Sequence, residues 1–134
     1  MKYLLDTAIC STIIKHPQTG RSRFEKVAAG DIALSSITWA ELQAWVSLNT
    51  KAQERLLSLQ RMFAPIVILP FTAEDAGHFG PIQKYLKNRG ALIGALDMMI
   101  AAHAISRDLI VVTNNVSHFS RVPGLRIENW AERK

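Results

Sequence analysis

Three carboxylates, Asp6, Glu41 and Asp97, stand where the hydrophobic pattern gives no reason for a solvated charge. Asp6 directly follows the apolar run Tyr3-Leu4-Leu5, so it projects from the carboxyl end of a short strand, the edge at which open α/β sheets bind ligands. Capping of the next helix by Asp6 or Thr7 is the structural alternative. Glu41 lies four positions after Ile37, four before Trp45 and seven before Leu48, which places it on the apolar stripe of a helix. Asp97 shares a helical face with Ile93, Ile100, Ala101, Ala104 and Ile105 in the most hydrophobic helix of the chain.

A buried, unpaired carboxylate is strongly unfavourable or takes up a proton, so each of these groups requires a partner. An ion pair, for example with Arg107 or Lys2, would answer for one of them. Three together, without histidines or cysteines at ligand spacing, suit a hard, oxygen-seeking cation such as Mg²⁺ or Mn²⁺. Such an ion cancels the mutual repulsion, binds a phosphodiester, activates water and stabilises a leaving oxygen; paired ions in phosphoryl-transfer sites stand ~3.5–4 Å apart. Phosphodiester hydrolysis is the chemistry this pattern favours. The run Val111-Val112-Thr113-Asn114-Asn115 ends a further strand in small polar residues at the same sheet edge as Asp6. Thr113 can hydrogen-bond a carboxylate or a phosphate there, although Thr-Asn-Asn is also an ordinary turn.

The elements that must position these groups alternate along the chain, short apolar runs with longer helical patterns, which predicts an α/β domain with a mostly parallel sheet. Strands are expected at Tyr3–Leu5, Ile32–Leu34, Ile66–Leu69, Leu109–Thr113 and Arg126–Glu128. Helices are expected at Ala8–Lys15, Ser22–Ala29 and Ala95–Ser106. A helical hairpin should span Thr38–Asn49 and Lys51–Phe63, closed by Pro65. Thr72 and Asp75 form a shortened capping box that opens a helix running to Arg89, with a kink expected near Pro81. Trp39, Trp45 and His103 read as packed residues, the two tryptophans alternatively as interface groups. Cys10 reads as a small buried hydrophobe.

Length and composition set the outer limits. At 134 residues, 49% hydrophobic and 20% charged, the chain is long enough for one core and too apolar for disorder. One cysteine excludes a disulfide-stapled scaffold. Only three apolar residues separate Lys2 from Asp6, which fits neither a signal sequence nor a membrane span, so a soluble, cytoplasmic protein is expected. The formal charge of +5 biases encounters toward polyanions, but the cations are scattered as on any solvated surface.

The segments LLDT, SSITWAEL around Glu41, IGALDMMIAAHA around Asp97 and VVTNNVSHFSRVPGLRIENW occur in an order and spacing that resembles PIN-domain ribonucleases, more narrowly VapC-type toxins of toxin-antitoxin operons, over essentially the whole chain. The resemblance implies a single domain over residues 1–134 with a three-layer α/β/α PIN-like fold and a central parallel sheet. It also implies a homodimer and a metal-dependent endoribonuclease that cuts a specific RNA and is silenced by a cognate VapB-type antitoxin. Through that antitoxin alone would the protein meet operator DNA, and no membrane is involved. In the family, the positions of Asp6 and Asp97 hold the divalent ion, that of Glu41 completes the acidic pocket, and that of Thr113 is a polar neighbour. Relatives usually carry a fourth acidic residue where this chain has Asn115 or His118, and an asparagine where it has Ala8.

The mechanism expected on that basis has Asp6 and Asp97 binding Mg²⁺ or Mn²⁺. Glu41 contacts the ion through water or accepts a proton from the attacking water, and Thr113 and Asn115 position that water or the phosphate. The alternative, motivated by the missing fourth acid, is a catalytically weak or inactive module that binds RNA or the antitoxin. A phosphoacceptor signalling domain would need an aspartate after the third strand, where Pro70-Phe71-Thr72 stands.

Overall fold

Five short strands, β1 (Tyr3–Leu5), β2 (Ile32–Ser35), β3 (Val67–Leu69), β4 (Ile110–Val112) and β5 (Ile127–Glu128), form one sheet in the order β3-β2-β1-β4-β5, with every neighbouring pair parallel. The computed structural model describes residues 1–62 and 67–131, with side chains for all of these except 21, 29, 59 and 62. Parallel pairing requires crossovers, which are supplied by α1 (Thr7–Lys15), α2 (Arg21–Phe24), α3 (Ser36–Val46), α4 (Thr50–Met62), α5 (Ala73–Ala76), α6 (Phe79–Asn88), α7 (Ala95–Arg107) and α8 (Val116–Phe119).

Successive strand residues point to opposite faces, so one sheet nucleates two cores. Leu4, Ala33 and Val111 pack with Ile82 and Leu86 of α6 and Met98, Ile100 and Ala101 of α7. Leu5, Leu34 and Val112 pack with Ile9, Cys10 and Ile13 of α1, Leu42 of α3, Leu56 of α4 and Trp130. This is the expected three-layer α/β/α arrangement. Trp39 and Trp45 are half-buried against the second core, and His103 is fully buried in α7, as the packed reading requires.

The local differences from expectation have local causes. The segment expected to be helical over Ser22–Ala29 is helical only through Phe24, with a single 3₁₀ turn at Ala29–Asp31. No kink occurs at Pro81: the helix breaks earlier, at Gly77-His78, and Pro81 is the third residue of α6, where an N–H would lack an intrahelical acceptor. The capping box is present, with Thr72 N–H donating to Asp75 Oδ2 at 2.8 Å and Asp75 N–H to Thr72 Oγ1 at 3.4 Å. Phe63, Pro65 and Ile66 lie outside the described residues.

The chain order sets the location of the site. From β1 the chain moves to β2 and β3 on one side, whereas β4 and β5 lie on the other, so the switch point falls between β1 and β4. Asp6 follows β1 and Thr113 follows β4. Gly90, with a left-handed φ of +62°, ends α6 and lets Ala91 N–H reach Leu86 O at 2.9 Å. The connection it opens leads into α7, a crossover helix that runs back against the strands and so brings its first turn, with Asp97, to their carboxyl edge. Among the described residues, no helix is long and apolar enough to cross a membrane.

Candidate active site

Asp6 is both a cap and a member of the acidic group. Its extended backbone places it at the N-cap of α1, where Oδ1 accepts the Ile9 N–H at 2.8 Å. Its other oxygen, Oδ2, accepts the Thr113 hydroxyl at 2.5 Å. The carboxylate is buried, and its pKa is raised to about 6. Burial is the main cause; the Thr113 and Ile9 hydrogen bonds pull it down, and the charges of Asp97 and Glu41 push it up again. The three acids predicted to meet are therefore within electrostatic reach of one another.

Thr113 chooses the carboxylate of the two partners open to it. It is fully buried, its proton is donated to Asp6, and its oxygen accepts the Asn115 N–H at 2.8 Å. A hydroxyl so committed has no proton left for a phosphate. Of the two partners expected for Thr113, a carboxylate or a phosphate, the fold supplies the carboxylate.

The apolar stripe expected around Glu41 holds for Ile37 and Trp45, which pack against the two cores, but not for Leu48. α3 ends at Val46, Leu48 lies beyond it at 86% exposure, and the buried positions of the helix are Thr38 and Leu42. Glu41 sits at the border of that face, half-buried, with Oε1 accepting the Thr7 hydroxyl at 2.6 Å. Thr7 is a neighbour of Glu41 that the sequence does not disclose. It stands beside Asp6 with the chemistry of a helix cap, and nothing in the pattern links it to a glutamate 34 positions away.

Asp97 occupies the first turn of α7, where the helix dipole favours negative charge and Gly94 supplies no capping side chain. It is half-buried, and its Oδ2 lies 3.4 Å from His118 Nδ1. Asn115 Nδ2 lies 2.8 Å from the same ring nitrogen. The two residues at the expected acidic positions therefore form one polar pair against Asp97, reached through α8.

Neither proposed ion pair forms. Arg107 Nε donates to Asp75 Oδ1 at 3.0 Å, and Lys2 Nζ lies 5.4 Å from the Tyr3 ring centre. Among the described residues, no Lys or Arg is ion-paired with Asp6, Glu41 or Asp97. Nor, among the described residues, do three His, Cys, Asp or Glu side chains stand close enough to enclose an ion. What remains is an incomplete set of oxygen donors with uncompensated charge. Mg²⁺ suits this arrangement, since it usually retains several waters and uses one or two carboxylates together with substrate phosphate. Cys10 is fully buried, its thiol pushed up by burial and the nearby Asp6 charge, and so has no nucleophilic character.

The family model for the PIN domain matches residues 3–125. The chain is 39% identical over 132 residues to ribonuclease VapC2 of Rickettsia felis, covering 97% of this chain and 98% of the relative. It is equally 39% identical over 132 residues to a tRNA(fMet)-specific endonuclease VapC of Shigella flexneri, covering 98% and 99% of the two chains. Among solved structures, DNA-bound VapBC from Salmonella typhimurium matches with a TM-score of 0.87 and 36% identity over 97% of this chain and 98% of that one.

Proposed function

The chain belongs to the PIN-domain family, and from that premise we propose that it is a metal-dependent endoribonuclease, the VapC-type toxin of a toxin-antitoxin pair. One observation carries the reading: Asp6, buried at the sheet's switch point, feels the charges of Asp97 and Glu41 and has no compensating Lys or Arg among the described residues. A purely structural acid in this protein is treated differently, as Asp75 with its Arg107 partner illustrates.

Asp97, with Asp6 behind it, would hold Mg²⁺ or Mn²⁺, which supplies charge stabilisation to a phosphodiester and lowers the pKa of bound water. Asp6 is fixed by Ile9 and Thr113, so its orientation is set before any ligand arrives. Glu41 keeps one oxygen on Thr7 and has the other to accept a proton from the attacking water. Asn115 and His118, half-buried at the lip, line the approach of the RNA backbone. Transfer RNA is the substrate class to try first, in view of the endonuclease from Shigella flexneri. A VapB-type antitoxin is the corresponding partner, since the Salmonella typhimurium neighbour is a VapBC assembly. Homodimerisation and a cytoplasmic location complete the proposal.

The test is cleavage of purified initiator tRNA and of total RNA by the purified chain with Mg²⁺, with EDTA, and with Asp97→Asn. Cleavage that needs the ion and Asp97 supports the reading. Tight RNA or antitoxin binding without any cleavage would instead favour the inactive-module alternative.

A further inference from the structure

Arginines in this molecule fall into two groups according to what holds them. Arg23, Arg107 and Arg126 each reach a carboxylate, of Glu128 at 2.8 Å, Asp75 at 3.0 Å and Asp108 at 2.9 Å, so the fold itself neutralises them. Arg89 and Arg121 are held by neutral groups instead. The Arg89 guanidinium lies over the Tyr85 ring, 3.6 Å from its centre. Arg121 Nη1 donates to Leu92 O at 3.3 Å and to Ala91 O at 3.5 Å. Among the described residues, neither is ion-paired with a carboxylate.

Both stand at one place in the fold. Arg89 caps the C-terminus of α6, and Ala91 and Leu92 belong to the connection that leads into α7 and Asp97. From the other side, Arg121 follows α8, its N–H bonded to His118 O at 3.2 Å, and His118 stands against Asp97. The two exposed cations therefore flank the Asp97 side of the pocket. Arg126 and Asp108, by contrast, precede β5 and β4 and so lie at the opposite edge of the sheet.

A guanidinium stacked on a ring, or bonded through one nitrogen, keeps the rest of its N–H fork open, and that fork matches the oxygens of a phosphodiester. Side chains already held in place lose little further freedom on binding, so ordering offsets little of the interaction. The acids of the pocket repel a polyanion, and cations at the rim counter that repulsion as a strand approaches.

We propose that Arg89 and Arg121 bind backbone phosphates of the RNA where it passes the Asp97 side of the pocket, and so set the path of the strand across the site. The inference rests on the ribonuclease reading above and deepens it by assigning residues that hold the substrate away from the reacting atoms.

The experiment measures binding of a short fluorescein-labelled single-stranded RNA of mixed sequence to the full-length chain by fluorescence anisotropy, in EDTA, over a series of KCl concentrations. Arg121→Gln and Arg89→Gln are each expected to weaken binding about tenfold. Each should also lower the slope of log Kd against log salt by about 0.7, the contribution of one phosphate of a single strand. Arg126→Gln removes the same unit of charge at the far edge and is expected to leave both quantities unchanged. Arg121→Lys is expected to keep the slope and recover part of the affinity. In cleavage assays with Mg²⁺, the two rim variants should raise KM and leave kcat unchanged. Arg89→Gln disturbs no carbonyl of the connection and carries the test alone should Arg121→Gln fail to fold by circular dichroism.

An equal effect of Arg126→Gln overturns the proposal, since the loss then belongs to net charge. A fall in kcat with KM and salt slope unchanged overturns it too, leaving Arg121 as a fastener of the connection. Displacement of the RNA by polyglutamate as effectively as by unlabelled RNA overturns it in favour of a surface for an acidic protein. RNA binding with the expected slopes but no cleavage in Mg²⁺ supports the phosphate site and removes the nuclease reading. Metal-dependent cleavage with slopes unaltered in both rim variants does the reverse.

Discussion

Two acidic centres in this molecule invite comparison. Asp75, at the start of α5, is fully buried, yet every contact around it compensates its charge. Burial pushes its carboxyl up, but Arg107 and the Thr72 N–H and hydroxyl hold it well below the usual carboxylate range. His103 Nε2 stands 3.5 Å from its Oδ2, with Nδ1 2.8 Å from Ser35 Oγ, and burial lowers the His103 pKa so that the ring is neutral. Asp6 is buried to a similar degree, has hydrogen bonds but no cation, and faces two further acids, so its pKa moves the other way. Burial alone therefore does not mark a functional acid. The difference lies in whether the fold supplies the opposite charge itself or leaves it to a ligand.

The sharpest way to break this contrast is to neutralise each centre in turn. Asp97→Asn, or Asp6→Asn, should reduce RNA cleavage by about a thousandfold or more, the consequence of losing several kcal/mol of charge stabilisation. The circular dichroism spectrum should not change. Full cleavage by either variant would remove these residues from the site.

Next in size is a stability effect of opposite sign to the usual loss. The Asp6 pKa is raised from 3.8 to about 6, so the folded state holds a proton that the unfolded chain has released. Stability from this group is complete below pH 3.8 and is lost as pH rises through about 6. In EDTA, the stability of Asp6→Asn relative to the parent should therefore rise between pH 4 and pH 7, measured by urea denaturation at each pH, because the amide carries no charge to desolvate. Added Mg²⁺ should stabilise the unmodified chain and have little effect on the variant.

Asp75→Ala should behave in the reverse sense. Losing the capping box and a buried acceptor should destabilise the protein by about 2 kcal/mol, with cleavage per folded molecule unchanged. Because the Asp75 pKa is depressed, its contribution is present above the ordinary carboxylate value of 3.8 and disappears as pH falls through the folded pKa. An acid-unfolding titration of the variant against the parent measures that loss.

The smallest effect is expected at Thr7→Val, which frees Glu41 without altering its charge. A loss of about 1 kcal/mol, or roughly fivefold in kcat, with KM little changed, fits a residue that aims a base. A Thr7→Ser variant should recover most of the rate.

Much of the fold was legible because it depends on local pattern. The alternation of apolar runs and helical stretches places all five strands within a residue or two, and the box at Thr72 and Asp75 is read from side chains three positions apart. Asp6 and Asp97 were legible for a related reason, being acids set within apolar segments. Glu41 reached the candidate set by an argument the structure supports in part, since Ile37 and Trp45 pack against the cores but Leu48 is solvent-exposed. Its membership rests on its distance in space from Asp6, which the helical period does not encode.

By itself, then, the amino-acid order determined the sequence of elements and the edge on which the acids fall, because these follow from periodicity and chain direction. Only the tertiary structure decided which partner each polar group takes. Arg107 reaches Asp75 rather than Asp97, Thr7 reaches Glu41, and Thr113 spends its proton on Asp6 across 107 residues. The physical reason is that a hydrogen bond or ion pair depends on ångström-scale distance and direction, and these are fixed when the sheet and its two helical layers close on one another.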